Sequence, residues 1–147
     1  MNLKIDDINN NQKHAVPSEE EIAGANKITA EIIGAAIEVH KALGPGLLES
    51  VYEEIMFHEL INLGFKVERQ KAIPVIWNDK KLEIGFRADL IVENKIIIEL
   101  KSVEELAPVH YKQLLTYLKL TNIKLGLLIN FNENLIKDGI KRVVNNL

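Results

Sequence analysis

The segment RADLIVENKIIIELKS, residues 87–102, constrains the fold more than any other stretch of the chain. Two apolar runs rich in Ile, Leu and Val flank Glu93-Asn94-Lys95, which predicts a β-hairpin closed by a three-residue turn. That count sets Val92 opposite Ile96 and Leu90 opposite Ile98, puts Asp89 in one row with Glu99, and pairs Arg87 with Lys101. Opposed residues share a face and the face alternates along each strand. One face is therefore Ala88, Leu90, Val92, Ile96, Ile98 and Leu100, wholly apolar. The other carries Arg87, Asp89, Glu99 and Lys101 beside Ile91 and Ile97. A two-residue turn would scatter the charges over both faces, so the purity of the apolar face favours the odd count.

Two carboxylates in one row repel, at a cost of up to about 1 kcal/mol, rising with burial. Two readings of the charged face follow. Arg87 and Lys101 neutralise the acids in a structural four-charge cluster, or a divalent cation sits between Asp89 and Glu99. Hard oxygen donors suit Mg²⁺, with Mn²⁺ as its substitute. Lys101 shares the face with both acids, where its ammonium can orient and activate a water.

The rest of the chain supplies helices and two more strands. Residues 1–24 are polar and Asn-rich without sustained period, which predicts a poorly ordered leader before a single domain over 25–147. From Asn26, apolar residues recur at helical spacing through Ile28, Ile32, Ala35, Ala36, Val39 and Leu43, and the GPG at 44–46 stops that helix. A second helix is expected from Leu47 to Leu63, with Leu48, Tyr52, Ile55, Met56, Leu60 and Leu63 as its stripe. FKVERQKAIPVIW and KLEIGFRADLIV, divided by a turn at NDK, precede IIIELKS, and the three read as an antiparallel meander. Pro74 marks an edge or a bulge. EELAPVHYKQLLTYLKLT is helical, IKLGLLINF is a strand buried on both faces, and NENLIKDGIKRVVNNL is expected as a last amphipathic helix. A strand that returns through a crossover helix lies parallel to its predecessor. The expected fold is α/β: a mixed sheet of a three-strand meander plus a parallel fourth strand, flanked by helices.

Composition narrows the chemistry. With no cysteine among 147 residues, disulfides, thiolate metal sites and cysteine nucleophiles are excluded. No apolar run approaches the roughly 20 residues of a membrane helix, and no signal layout is present, so the expected address is cytoplasmic, without a membrane partner. The formal charge of −3 argues against holding nucleic acid by bulk electrostatics, but it is compatible with acids gathered around a metal.

RADLIV followed by IIIELKS resembles the PD-(D/E)xK nuclease superfamily, with Asp89 as first acid and Glu99-Leu100-Lys101 as the E-x-K element. IGAAIEVHKALGPGLLESVYEEIMFHEL resembles the GxxExxY proteins, through Gly46, Glu49 and Tyr52. The resemblance runs from about residue 28 to the end and implies a restriction-endonuclease-like core. It implies Mg²⁺ held by Asp89 and Glu99, with Glu49 completing the site directly or through water, and Lys101 as catalytic partner. Gln113 and Tyr117, one helical turn apart, resemble a Q-x-x-x-Y element that positions the substrate strand; packing and solvation are the plainer roles. Glu49 as a favourable acid at a helix N-terminus, Tyr52 as a core aromatic and His40 as a C-terminal cap are plainer readings too. The implied function is metal-dependent hydrolysis of phosphodiesters in nucleic acid, DNA in the first instance. The alternatives are a non-catalytic binding module that retains the nuclease core, and a homodimer whose interface is the charged face. Trp77, and the basic Lys137, Lys141 and Arg142, are read first as packing and solvated surface.

Overall fold

The computed structural model describes residues 16–83 and 85–147. The first fifteen residues of the expected leader lie outside that range. Helix α1 (Glu19–Leu43) begins before the apolar stripe does, because Ser18 and Glu21 close a capping box. The Ser18 hydroxyl accepts from the Glu21 N–H at 3.1 Å, and the Glu21 carboxylate accepts from the Ser18 N–H at 2.7 Å. At the other end Gly44 takes φ 68°, and its N–H donates to the His40 carbonyl at 2.7 Å. Helix α2 (Glu49–Asn62) follows directly.

The expected meander is present but interrupted. Its first strand divides at Pro74 into β1 (Val67–Ala72) and β2 (Val75–Trp77); its second divides into β3 (Lys80–Leu82) and β4 (Arg87–Val92). β2 and β3 form a separate two-stranded hairpin around Asn78-Asp79, both at positive φ. β1 and β4 then pair antiparallel, and β4 turns into β5 (Ile96–Lys101) with Val92 opposite Ile96 and Leu90 opposite Ile98, as the turn count requires. Helix α3 (Pro108–Thr121) crosses over to β6 (Leu125–Asn130), which lies parallel to β5. Every residue of β6 is buried.

The expectation of a terminal helix does not hold. A short 3₁₀ turn (Ile136–Gly139) leads into β7 (Ile140–Val144), antiparallel to β6. Ile140, Val143 and Val144 are β-branched and favour a pleated surface, and without β7 the outer edge of β6 would be unpaired. The five-stranded order is β1-β4-β5-β6-β7.

Two cores flank this sheet. Leu90, Val92, Ile96, Ile98, Leu100, Leu125, Leu127 and Ile129 meet α1 and α2 through Ile32, Ala36, Val39, Tyr52, Met56 and Leu60. Ile91, Ile97 and Leu128 meet Leu114, Tyr117 and Leu118 of α3 on the other side. Gly126 permits the close seating of α3, since a Cβ there would stand 2.8 Å from a Leu114 methyl. Ala88 corrects the alternation expected from sequence, because it packs with the α3 side. It stands next to Asp89, where pairing with β5 has ended and where Gln70 of β1, across from Asp89, adopts φ 50°.

Candidate active site

The sheet forks at the two acids. β4 stays paired with β1 as far as Ala72 opposite Arg87, and β5 stays paired with β6 as far as Lys101 opposite Asn130. Between β4 and β5, however, the residue pairing stops at Leu90 opposite Ile98. Carboxylates take the place of the missing ladder. Glu99 Oε1 accepts from the Asp89 N–H at 3.1 Å, and Asp89 Oδ2 accepts from the Leu100 N–H at 2.9 Å. Each acid satisfies a backbone donor that the fork would otherwise orphan, which a buried sheet requires.

The fork is electrostatically expensive. Glu99 is only 4% exposed. Desolvation first, and the neighbouring Asp89 charge second, raise its carboxyl to about 8. Asp89 is raised as well, chiefly by burial, with the Glu53 carboxylate adding to the rise while the Leu100 N–H, Lys101 and Gln70 oppose it. The four-charge cluster fails as a direct explanation. Among the described residues no ion pair joins Arg87 or Lys101 to either acid; the ion pairs present lie elsewhere. Lys101 acts on both acids only through its field.

Around the pair stand residues from three other elements. Tyr117, buried on α3, has its phenol raised by burial and then by the charges of Glu99 and Asp89. The Arg87 backbone and the Gln113 side chain ease that rise, so Tyr117 lies within the field of both acids with Gln113 bonded beside it on the same helix. Tyr117 also packs edge-on against Phe86, centroids 6.0 Å apart. From β1, the Gln70 side-chain amide donates to Asp89 Oδ1 at 3.2 Å and to Glu53 Oε2 at 2.7 Å. Glu53 on α2 is buried and also accepts from Arg69 Nε at 2.9 Å. Arg69 pairs in addition with Glu54.

Glu49 has a different place. It is exposed, and its Oε1 accepts from the Ser102 N–H at 3.3 Å, one residue past Lys101. Ser102 Oγ in turn donates to the Leu47 carbonyl at 2.6 Å. Tyr52 completes this corner: its hydroxyl donates to the Gly44 carbonyl at 2.6 Å and accepts from the Leu47 N–H at 3.2 Å, while its ring stacks on Phe131 at 4.4 Å. The Gly46, Glu49 and Tyr52 motif thus ties the helix-to-helix turn to the end of β5. Asn130 secures the same end from β6, exchanging hydrogen bonds of 2.8 and 3.1 Å with the Val103 backbone. His40 is structural: its Nε2 lies 2.7 Å from the Glu133 carbonyl, which fits the tautomer that donates there.

Sequence reasoning missed Gln70 and the part played by Glu53. Glu53 lies one turn beyond Glu49 on the same helix, a spacing visible in the sequence. Gln70 had no such signal, because its partner strand is separated from it by the inserted hairpin. No three acidic or His side chains among the described residues form a ready-made metal cage. The chemistry of the pair nonetheless suits a hard divalent ion. Mg²⁺ commonly takes one or two carboxylates and completes its shell with water and substrate phosphate, and such an ion offsets the repulsion that raises both acids.

A family model described as the PD-(D/E)XK nuclease superfamily matches residues 26–143. No curated protein and no solved structure matches the chain. The matched span covers β1 to β6 and all but the last residue of β7, the whole of α2 and α3, most of α1, and both carboxylates of the fork.

Proposed function

The chain belongs to the PD-(D/E)XK nuclease superfamily, and we propose that it hydrolyses phosphodiester bonds of nucleic acid, DNA first, at the fork between β4 and β5. The observation that carries this reading is the juxtaposition of Asp89 and Glu99 in a sheet that parts to admit them, with no direct ion pair to either among the described residues. Asp89 and Glu99 would hold Mg²⁺ or Mn²⁺, which when bound polarises the phosphate and acidifies a water.

The chain's own residues have distinct tasks. Lys101, half-buried at the end of β5, orients the attacking water and offsets negative charge that builds on phosphorus. Gln113, exposed on α3, and the Tyr117 phenol below it hold the substrate strand against the fork. Glu49 acts through the Ser102 N–H, fixing the chain that follows Lys101. Its link to Leu47 and Tyr52 through this corner supports placing the chain in the GxxExxY branch.

The test is cleavage of single-stranded, duplex and branched DNA, and of RNA, with Mg²⁺ or Mn²⁺. Wild type is expected to cut at least one substrate, with Lys101→Ala slower by about a hundredfold or more. Equal rates for wild type and for both Lys101→Ala and Glu99→Gln would show the cleavage to be a contaminant and would remove the reading.

A further inference from the structure

Gln70 is the one residue of β1 whose geometry the sheet does not explain. Its neighbours keep regular partners, Arg69 opposite Leu90 and Lys71 opposite Ala88, and the register puts Gln70 across from Asp89. Yet its backbone lies at φ 50°, a left-handed conformation that a residue with a Cβ rarely adopts and that costs energy inside a strand. What accompanies this strain is a bridge. The side-chain NH₂ reaches Glu53 Oε2 at 2.7 Å and Asp89 Oδ1 at 3.2 Å. Both partners are carboxylates, which accept, so the amide can present only its NH₂ edge to them.

We propose that Gln70 is a positioning residue that sets the rotamer of Asp89 for a divalent cation, using Glu53 as its anchor. The proposal rests on the metal-dependent reading above. The choice of residue type follows from charge. Lys or Arg at this position would neutralise Asp89 and compete with the cation, and Glu would add a third repelling charge. A neutral amide supplies a donor and leaves the negative charge available. The anchor is itself fixed, since Glu53 is buried and held by Arg69 Nε at 2.9 Å. Asp89 is thereby gripped at both oxygens, Oδ1 by Gln70 and Oδ2 by the Leu100 N–H, while each oxygen retains a further lone pair.

The experiment is Mn²⁺ titration calorimetry on the full chain as wild type, Gln70→Ala, Gln70→Gly and Asp89→Ala, with urea unfolding of each. Glycine removes the amide but relieves the left-handed backbone; alanine removes the amide and keeps the strain. The glycine variant should therefore unfold at higher urea than the alanine variant. Both should bind Mn²⁺ about tenfold more weakly than wild type, as is typical when a group supporting a metal ligand is lost. Wild-type affinity in either folded variant would overturn the proposal. So would affinity that follows stability, recovering in glycine but not in alanine, because the backbone and not the amide would then be at work. A folded wild type that binds no Mn²⁺ would bring down the metal-dependent reading itself, and the role of Gln70 with it.

Discussion

At the scale of single residues, Glu99 is the group under greatest constraint. Its folded carboxyl is raised from 4.5 to about 8, so the folded state holds its proton more tightly than the unfolded chain does. The stability this contributes is fully present below about 4.5 and is lost as pH rises toward about 8. Without divalent ions, the unfolding free energy from urea denaturation should therefore fall between pH 5 and pH 8.5 by an amount on the order of a few kcal/mol. Glu99→Gln should flatten that fall. Tyr52 offers a simpler case. Tyr52→Phe keeps the ring on Phe131 and removes the hydroxyl that serves Gly44 and Leu47. It should lower unfolding free energy by about 1–3 kcal/mol, measured by urea denaturation, because the two backbone groups lose a partner. The juxtaposition of Asp89 and Glu99 could be found from sequence because the three-residue turn sets the hairpin register locally, although the pairing itself ends at Leu90 and Ile98. The roles of Gln70 and Glu53 depend on partners 19 and 17 residues away, respectively, and emerge only when the chain is folded.

Among the elements, the hairpin, the crossover to β6 and the first two helices follow from apolar period and from Gly and Pro punctuation. The last segment did not. IKRVV, at residues 140–144, has spacing that a helix could use, and its strand state is decided by the open edge of β6, a tertiary circumstance. Gly139 makes this junction possible: a Cβ there would stand 2.5 Å from the Asn130 carbonyl oxygen and 2.7 Å from Glu133 Cγ. Gly139→Ala should accordingly destabilise the fold by about 1–3 kcal/mol. Gly34→Ala is its control. That glycine lies within α1 with nothing within 4 Å of an added Cβ, so the substitution should stabilise by about 1 kcal/mol through helix propensity. Thermal unfolding of the two variants should show shifts of opposite sign.

Over the whole molecule, the sheet parts between two halves. β1 and β4 form one arm, β5, β6 and β7 the other, joined at the Glu93-Asn94-Lys95 turn. Each arm brings one acid, and α3 closes over the fork with Tyr117 while the corner around Tyr52 and Ser102 fixes the chain after Lys101. The mixed topology was legible in the order of the elements. The fork was not, because residue spacing sets which side chains share a row but not whether the backbones behind them remain paired. That separation lets two like charges meet inside a buried sheet, each bonded to a backbone N–H of the opposite strand. The most direct test is anomalous difference density from crystals soaked in Mn²⁺, with and without a short DNA. One peak is expected between Asp89 and Glu99, at roughly 2.0–2.3 Å from their oxygens, as a small hard cation requires. No peak at saturating Mn²⁺ in either crystal, with the Asp89 and Glu99 carboxylates still bonded to the Leu100 and Asp89 N–H groups, would contradict the metal site at the fork.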